Sequence, residues 1–366
     1  MYGQSRGVLQ LGALLGVYMA WWIYSEAHVA SLLGVSRKEG LIAGLLVTIT
    51  VWVRLQGILR FSKFISGLDI RRIIVIISPF ISYILFFITI NSKNILISIF
   101  SFIIFTLYIG VLLAISSSKI YKETDPSEWK SSILIFKTVM VFFQILTLIF
   151  LKIINIDIYK FNNTIYLILS ILLTMSIYAS RHIYGFIIPE TIYKLLELLH
   201  LSFINPRKVK LITDNDINRF SSILAGLFVL KIIILPKAIK DDPLITLALY
   251  ALSYFIGSRV ALSYFDNIKL VYLSSIISYF IIISIDPIHA IILLGFMIGF
   301  IELSIILLVL NYKPRDIVKT NLFQSIWIIA GSIIVGVTSE FLPNYTPYSI
   351  LLILISGYVF RNRATL

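Results

Sequence analysis

Glu302 is the residue of this 366-residue chain whose position alone gives it chemistry to do. It stands in an apolar run from Ile288 to Leu310, three residues past the midpoint, or about 4.5 Å along a helix axis. Eight residues, roughly 12 Å, separate it from the nearer end of that run, too far for a glutamate to reach the headgroups. A carboxylate at such a depth costs on the order of 3 kcal/mol on insertion scales, so it is expected to face the protein interior or a water-filled cavity. There it would take up and release a proton or hold a cation. The plainer alternative is a protonated glutamate that hydrogen-bonds two helices together. Gly295 and Gly299 share its helical face and would open space there or let a neighbouring helix approach.

Other candidates are weaker. Lys231 lies about one turn from the outer end of the run Ile217–Leu235, where it could snorkel or meet an anionic solute. Lys137, Arg54 and Arg259 are each near an end of an apolar run and read as snorkelling charges. Tyr18, Trp21, Trp22 and Tyr24 close the first run; they read as an interfacial aromatic belt, with Tyr18 and Trp21 as alternative lining of an outer vestibule. His28, His182, His200 and His289 are scattered over separate segments, so no metal site is indicated. Asp214-Asn215-Asp216 is a close acid pair and reads as a helix cap. With no cysteine, thiol catalysis, thiolate metal sites and disulfides are excluded, and no cofactor is expected.

The elements that position these residues are membrane spans. Hydrophobic residues make up 59% of the chain and charged ones only 13%, about half the charge of a soluble globular protein. Runs of spanning length are Gly7–Tyr24, Gly40–Leu59, Ile73–Ile90, Ile95–Ile115, Ile133–Leu151, Thr164–Ser180, Ile217–Leu235, Leu244–Phe265, Leu270–Ile285, Ile288–Leu310, Leu322–Val337 and Tyr345–Phe360. The first run lacks a clear small-residue cleavage site and is followed at once by further spans, so it reads as retained.

The net charge of +13 does not point to nucleic acid, because the basic residues sit in short clusters between apolar runs. With twelve spans, 22 of the 31 basic residues fall on one side, 7 on the other and 2 inside spans. By the positive-inside rule both termini are cytoplasmic, and a multi-pass protein of the plasma membrane is expected. Two Asn-x-Thr sequons, at Asn162 and Asn344, fall in predicted outer loops.

A polar stretch from Arg181 to Asp216 divides the chain into residues 1–180, a linker at 181–216 and residues 217–366. Within the linker, Glu190, Lys194, Glu197 and His200 share one face of an amphipathic helix expected to lie on the inner membrane surface. The halves echo each other weakly. Pro126-Ser127-Glu128 precedes Lys130, and Pro314-Arg315-Asp316 precedes Lys319; Arg54 and Gly57 answer Arg259 and Gly257 in reversed order. Such twin halves are the usual construction of secondary transporters.

On these features the chain resembles the major facilitator superfamily over nearly its whole length. The best local match is Gly295 to Pro343, with Pro314-Arg315, Gly331 and Gly336. The resemblance implies an all-α fold of twelve transmembrane helices in two six-helix bundles related by a pseudo-two-fold. The family's motif between the second and third spans is a glycine, an acid four residues on, then basic residues. Gly57, Arg60, Lys63, Arg71 and Arg72 supply the glycine and the bases of this gating loop, but Phe61 stands where the acid belongs and Asp69 comes too late. That implies a divergent member with altered gating. In the resembled family the first, fourth, seventh and tenth helices line the central cavity, which would set Glu302 and Lys231 beside a substrate path.

The expected function is secondary transport of a small solute, proton-coupled, by a monomer that is not an enzyme. One alternative is a transporter-like sensor or subunit that does not transport. The other is a membrane enzyme acting on lipid-linked substrates, disfavoured because no outer loop clusters acids for a metal.

Overall fold

The computed structural model describes residues 2–33, 40–58, 68–123, 129–153, 214–238, 242–264, 268–309 and 314–359. These form eleven helices: α1 Tyr2–Leu32, α2 Gly40–Gln56, α3 Leu68–Asn91, α4 Ile95–Glu123, α5 Trp129–Ile153, α6 Asp214–Ala238, α7 Pro243–Tyr264, α8 Ile268–Ser284, α9 Pro287–Val309, α10 Pro314–Phe341 and α11 Thr346–Val359. Each coincides with one predicted span. The sixth span, Thr164–Ser180, and the amphipathic linker helix lie outside the described residues, so helix numbers run one behind span numbers from α6 onward.

Apolar side chains fill the interior and also cover the outside, unlike in a water-soluble fold. Large apolar residues stand outward, with Leu273 60% and Leu352 58% exposed, while serines and threonines are buried. Six of the helices hold an apolar stretch of spanning length. Lipid is the solvent that makes both features favourable, since an apolar outer face loses nothing there and backbone groups are satisfied inside each helix. The buried hydroxyls follow the same rule. Thr106, Ser116, Ser221, Ser275 and Ser304 each donate to the carbonyl four residues back in their own helix. The chain is a multi-pass membrane protein.

The described helices fall into two compact units. In the first, α1 as far as Val29 joins α3, α4 and α5. α1 is the hub, buried on nearly every side from Leu11 to Val29. Gly12 and Gly16 let it touch α5, where a Cβ at Gly12 would sit 2.9 Å from the Phe136 carbonyl oxygen. Trp22 donates its indole N–H to Thr106 Oγ1 of α4 (2.9 Å) and stacks on Phe102.

On α3, Pro79 has no N–H for the Val75 carbonyl four residues back. The Ser78 hydroxyl donates to that carbonyl at 2.7 Å. Its proton being committed, Ser78 accepts from the Tyr18 hydroxyl of α1 at 3.0 Å.

The second unit contains α2 and α6 to α11, so the second span packs with the C-terminal helices rather than within residues 1–180. Gly44 of α2 lies against the Ser332 carbonyl of α10, and a Cβ there would come 3.1 Å from Gly336 Cα. α6 packs on α9, α10 and α11. Trp327 of α10 donates to Asn218 Oδ1 of α6 at 2.6 Å, and the Gly357 N–H of α11 donates to Ser222 Oγ at 3.1 Å.

α7 and α9 both begin with an Asp-Pro pair. Asp242 accepts from the Ile245 N–H and Asp286 from the N–H groups of Ile288 and His289, each followed by proline at the first helical position.

Candidate functional site

Glu302 is set by the pairing of α7 with α9, which approach backbone to backbone because both carry glycines at the contact. Gly257 of α7 rests on the Phe296 carbonyl of α9. Gly295 and Gly299 of α9 rest on the carbonyls of Tyr250 and Tyr254 of α7. Ser258 donates to its own helix at Tyr254 O (2.9 Å) and reaches Gly299 O of α9 (3.3 Å). Of the two readings of these glycines, close helix approach is the one that holds.

This approach brings Tyr254 to Glu302. The phenol donates to Oε2 at 2.8 Å, within the usual range for an O–H···O bond. Tyr254 is the twelfth residue of the 22-residue α7, so the bond lies at mid-helix. Glu302 is half-buried, and its carboxyl meets the Tyr254 phenol of the neighbouring helix.

Lys231 is only 5% exposed, so it does not snorkel. Its ammonium lies over the Tyr250 ring, 5.2 Å from the centroid, a cation–π contact. Tyr250 and Tyr254 are one turn apart on α7. The structure thus brings Lys231 and Glu302 to the same helix, each against a tyrosine. Arg259, a turn further, is half-buried with its guanidinium over Phe255 at 5.0 Å.

Tyr18 and Trp21 belong to the first unit and meet each other there, with ring centroids 5.7 Å apart. Trp21 stacks on Phe86 at 5.5 Å and meets Tyr83 edge-on. Both are 1% exposed. The belt reading of these aromatics does not hold, because α1 continues to Leu32 and its neighbours enclose them.

Of the gating-loop residues, Gly57 backs onto α4, where a Cβ would lie 2.7 Å from the Leu107 carbonyl oxygen. Arg71 and Arg72 fall near the start of α3, and Arg60 and Lys63 lie outside the described residues. Among the described residues no three His, Cys, Asp or Glu side chains gather as metal ligands. His289 bonds to Asp286 in an exposed turn.

Tyr250 and Tyr254 escaped the sequence reading, which weighed only charged and histidine groups inside spans. The available signal was their i, i+4 spacing at the middle of the eighth span, beside Ser253, Gly257 and Ser258.

No protein-family model and no curated protein matches the sequence. Solved structures do match in fold. A structure of a mutant of the nucleoside transporter NupG is similar at 12% identity, covering 98% of each chain, with a TM-score of 0.61. The D-xylose-proton symporter is similar at 14% identity over 98% of this chain and 97% of the other, with a TM-score of 0.62. The inward open xylose transporter XylE from E. coli gives 0.60 at 14% identity, over 96% of this chain and 94% of the other. The all-helical fold is similar to that of these transporters.

Proposed function

We propose that the chain is a secondary active transporter that moves a small solute across the plasma membrane by alternating access, with Glu302 as its proton-carrying carboxyl. The observation that supports this reading most is the Tyr254–Glu302 bond at mid-helix inside the second unit. An acid at that depth is costly unless the protein holds it, and a held acid within a span is functional by default.

The proposal includes twelve spans and a monomer with cytoplasmic termini. It also takes residues 1–180 and 217–366 as two halves joined by 181–216, the second span of the first half packing with the second half, and Lys231, Tyr18 and Trp21 as further candidates for solute contact. Gly57, Arg60, Lys63, Arg71 and Arg72 form the gating loop on this reading. The similar structures include nucleoside and xylose transporters, so nucleosides and pentoses head the panel of solutes to screen.

The test is uptake into proteoliposomes driven by a pH gradient. Glu302→Gln should abolish gradient-driven accumulation and leave counterflow exchange intact. Normal accumulation by that variant would remove Glu302 from the mechanism. A panel in which no solute moves, with the protein folded, would favour the sensor reading.

A further inference from the structure

The backbone of Tyr254 is held at the contact between α7 and α9. Its carbonyl accepts from Ser258 and lies against Gly299, so its ring leaves α7 at a point that cannot slide along α9 without a clash. The phenol is therefore presented to Glu302 by the helix contact itself. A phenol can donate to either form of a carboxyl, but a carboxylate accepts more strongly than the neutral acid.

We propose that Tyr254 is the positioning residue of the Glu302 carboxyl: its hydroxyl fixes one carboxyl oxygen and sets how readily the group releases its proton. This rests on Glu302 being the proton carrier. The charged and titratable groups on the helices packed around Glu302 are few in the spans. α7 carries Tyr250, Tyr254 and Arg259, the last over Phe255. α6 carries Lys231 over the Tyr250 ring. α8 carries Tyr272 and Tyr279, and the Tyr279 hydroxyl is turned to the Pro347 carbonyl. Tyr254 donates to the carboxyl at 2.8 Å.

The role can be read without knowing the solute. Infrared difference spectra of the full chain in lipid nanodiscs, recorded across pH, report carboxyl C=O bands directly. The band missing from Glu302→Gln is that of Glu302. In Tyr254→Phe, which keeps the ring and its packing, this band should move to higher frequency. Its titration midpoint should rise by about one pH unit, the change expected when a charge-assisted hydrogen bond is lost. Ser221→Ala, whose hydroxyl bonds back to the Ile217 carbonyl of its own helix α6, should change neither.

If Tyr254→Phe does not fold, 3-fluorotyrosine incorporated throughout the wild-type chain strengthens the phenol as a donor and should move the midpoint the other way. A Glu302 band unmoved by either treatment overturns the role of Tyr254 and leaves Glu302 as carrier. A spectrum in which Glu302→Gln removes no titrating band overturns the carrier reading, and the role of Tyr254 with it.

Discussion

An alanine at Gly299 tests whether α7 and α9 truly touch backbone to backbone. Its Cβ would lie 2.9 Å from the Tyr254 carbonyl carbon and nearer still to that carbonyl's oxygen, where ordinary contact begins at 3.4 Å, so the helices must part by more than about 0.5 Å. Alanine at Gly257 is tighter, at 2.7 Å from the Phe296 carbonyl carbon with the oxygen again nearer, and asks for more than about 0.7 Å. Overpacking of this kind costs about 1–3 kcal/mol, and the better helix propensity of alanine returns about 1 kcal/mol. Because the clash is with backbone, which cannot swing aside, the cost falls at the upper end, and each single variant should lose about 2 kcal/mol.

The double variant should cost little more than Gly257→Ala alone, because one displacement of α7 from α9 relieves both clashes. The same movement would stretch the 2.8 Å Tyr254–Glu302 bond past about 3.3 Å, beyond the useful range for O–H···O. Gly299→Ala should then reproduce part of the infrared shift expected of Tyr254→Phe. Reversible unfolding in mixed micelles measures the stabilities. Wild-type stability in both single variants, or full additivity in the double, would refute the backbone contact as described.

Two further outcomes are expected besides the transport and infrared results above. Ser78→Ala should cost more than Tyr18→Phe. The first leaves the Val75 carbonyl above Pro79 and the Tyr18 hydroxyl without their bonds to Ser78, whereas the second leaves the Ser78–Val75 bond intact. Cross-helix bonds in membranes average about 0.6 kcal/mol, so Tyr18→Phe should fall near that value and Ser78→Ala near twice it, read as unfolding in mixed micelles. Because the chain has no cysteine, single cysteines report sidedness cleanly. Asn344→Cys, exposed before α11, should react with an impermeant maleimide in intact cells, while Ser127→Cys should react only after lysis; the reverse pattern would invert the orientation.

Span positions were legible because lipid imposes one simple demand, a run of about 20 apolar residues, and the eleven described helices meet their predicted runs within a few residues except where polar ends extend them. α1 runs eight residues past its predicted end because Ser25, Glu26 and His28 broke the hydropathy pattern without breaking the helix. The partner of Glu302 was not legible. Glycines at 295 and 299 predict a close neighbour but not which one, and only the pairing with α7 selects Tyr254. Lys231 misled for a related reason: one turn from a span end normally suffices for snorkelling, but a tyrosine ring on the adjacent helix holds its ammonium inside the protein. The grouping of α2 with α10 was equally hidden, since Gly44 reveals no partner on its own.

Polar bonds in these spans are of two kinds, and the difference gives the Tyr254–Glu302 pair its importance. Most hydroxyls bond back to a carbonyl of their own helix, so they neither draw helices together nor respond to a partner. A smaller set crosses between helices, among them Tyr18 to Ser78, Trp22 to Thr106, Trp327 to Asn218 and Tyr254 to Glu302. The first three join neutral groups and keep the same strength at any pH a cell meets. The fourth ends on an acid, so its strength depends on a proton. It also sits where glycines let two backbones touch, so a change in that bond acts on the helix pair itself. A proton arriving at Glu302 would weaken the tie between α7 and α9 at its centre, which is the kind of local change a transporter needs in order to couple a proton to the movement of a helix.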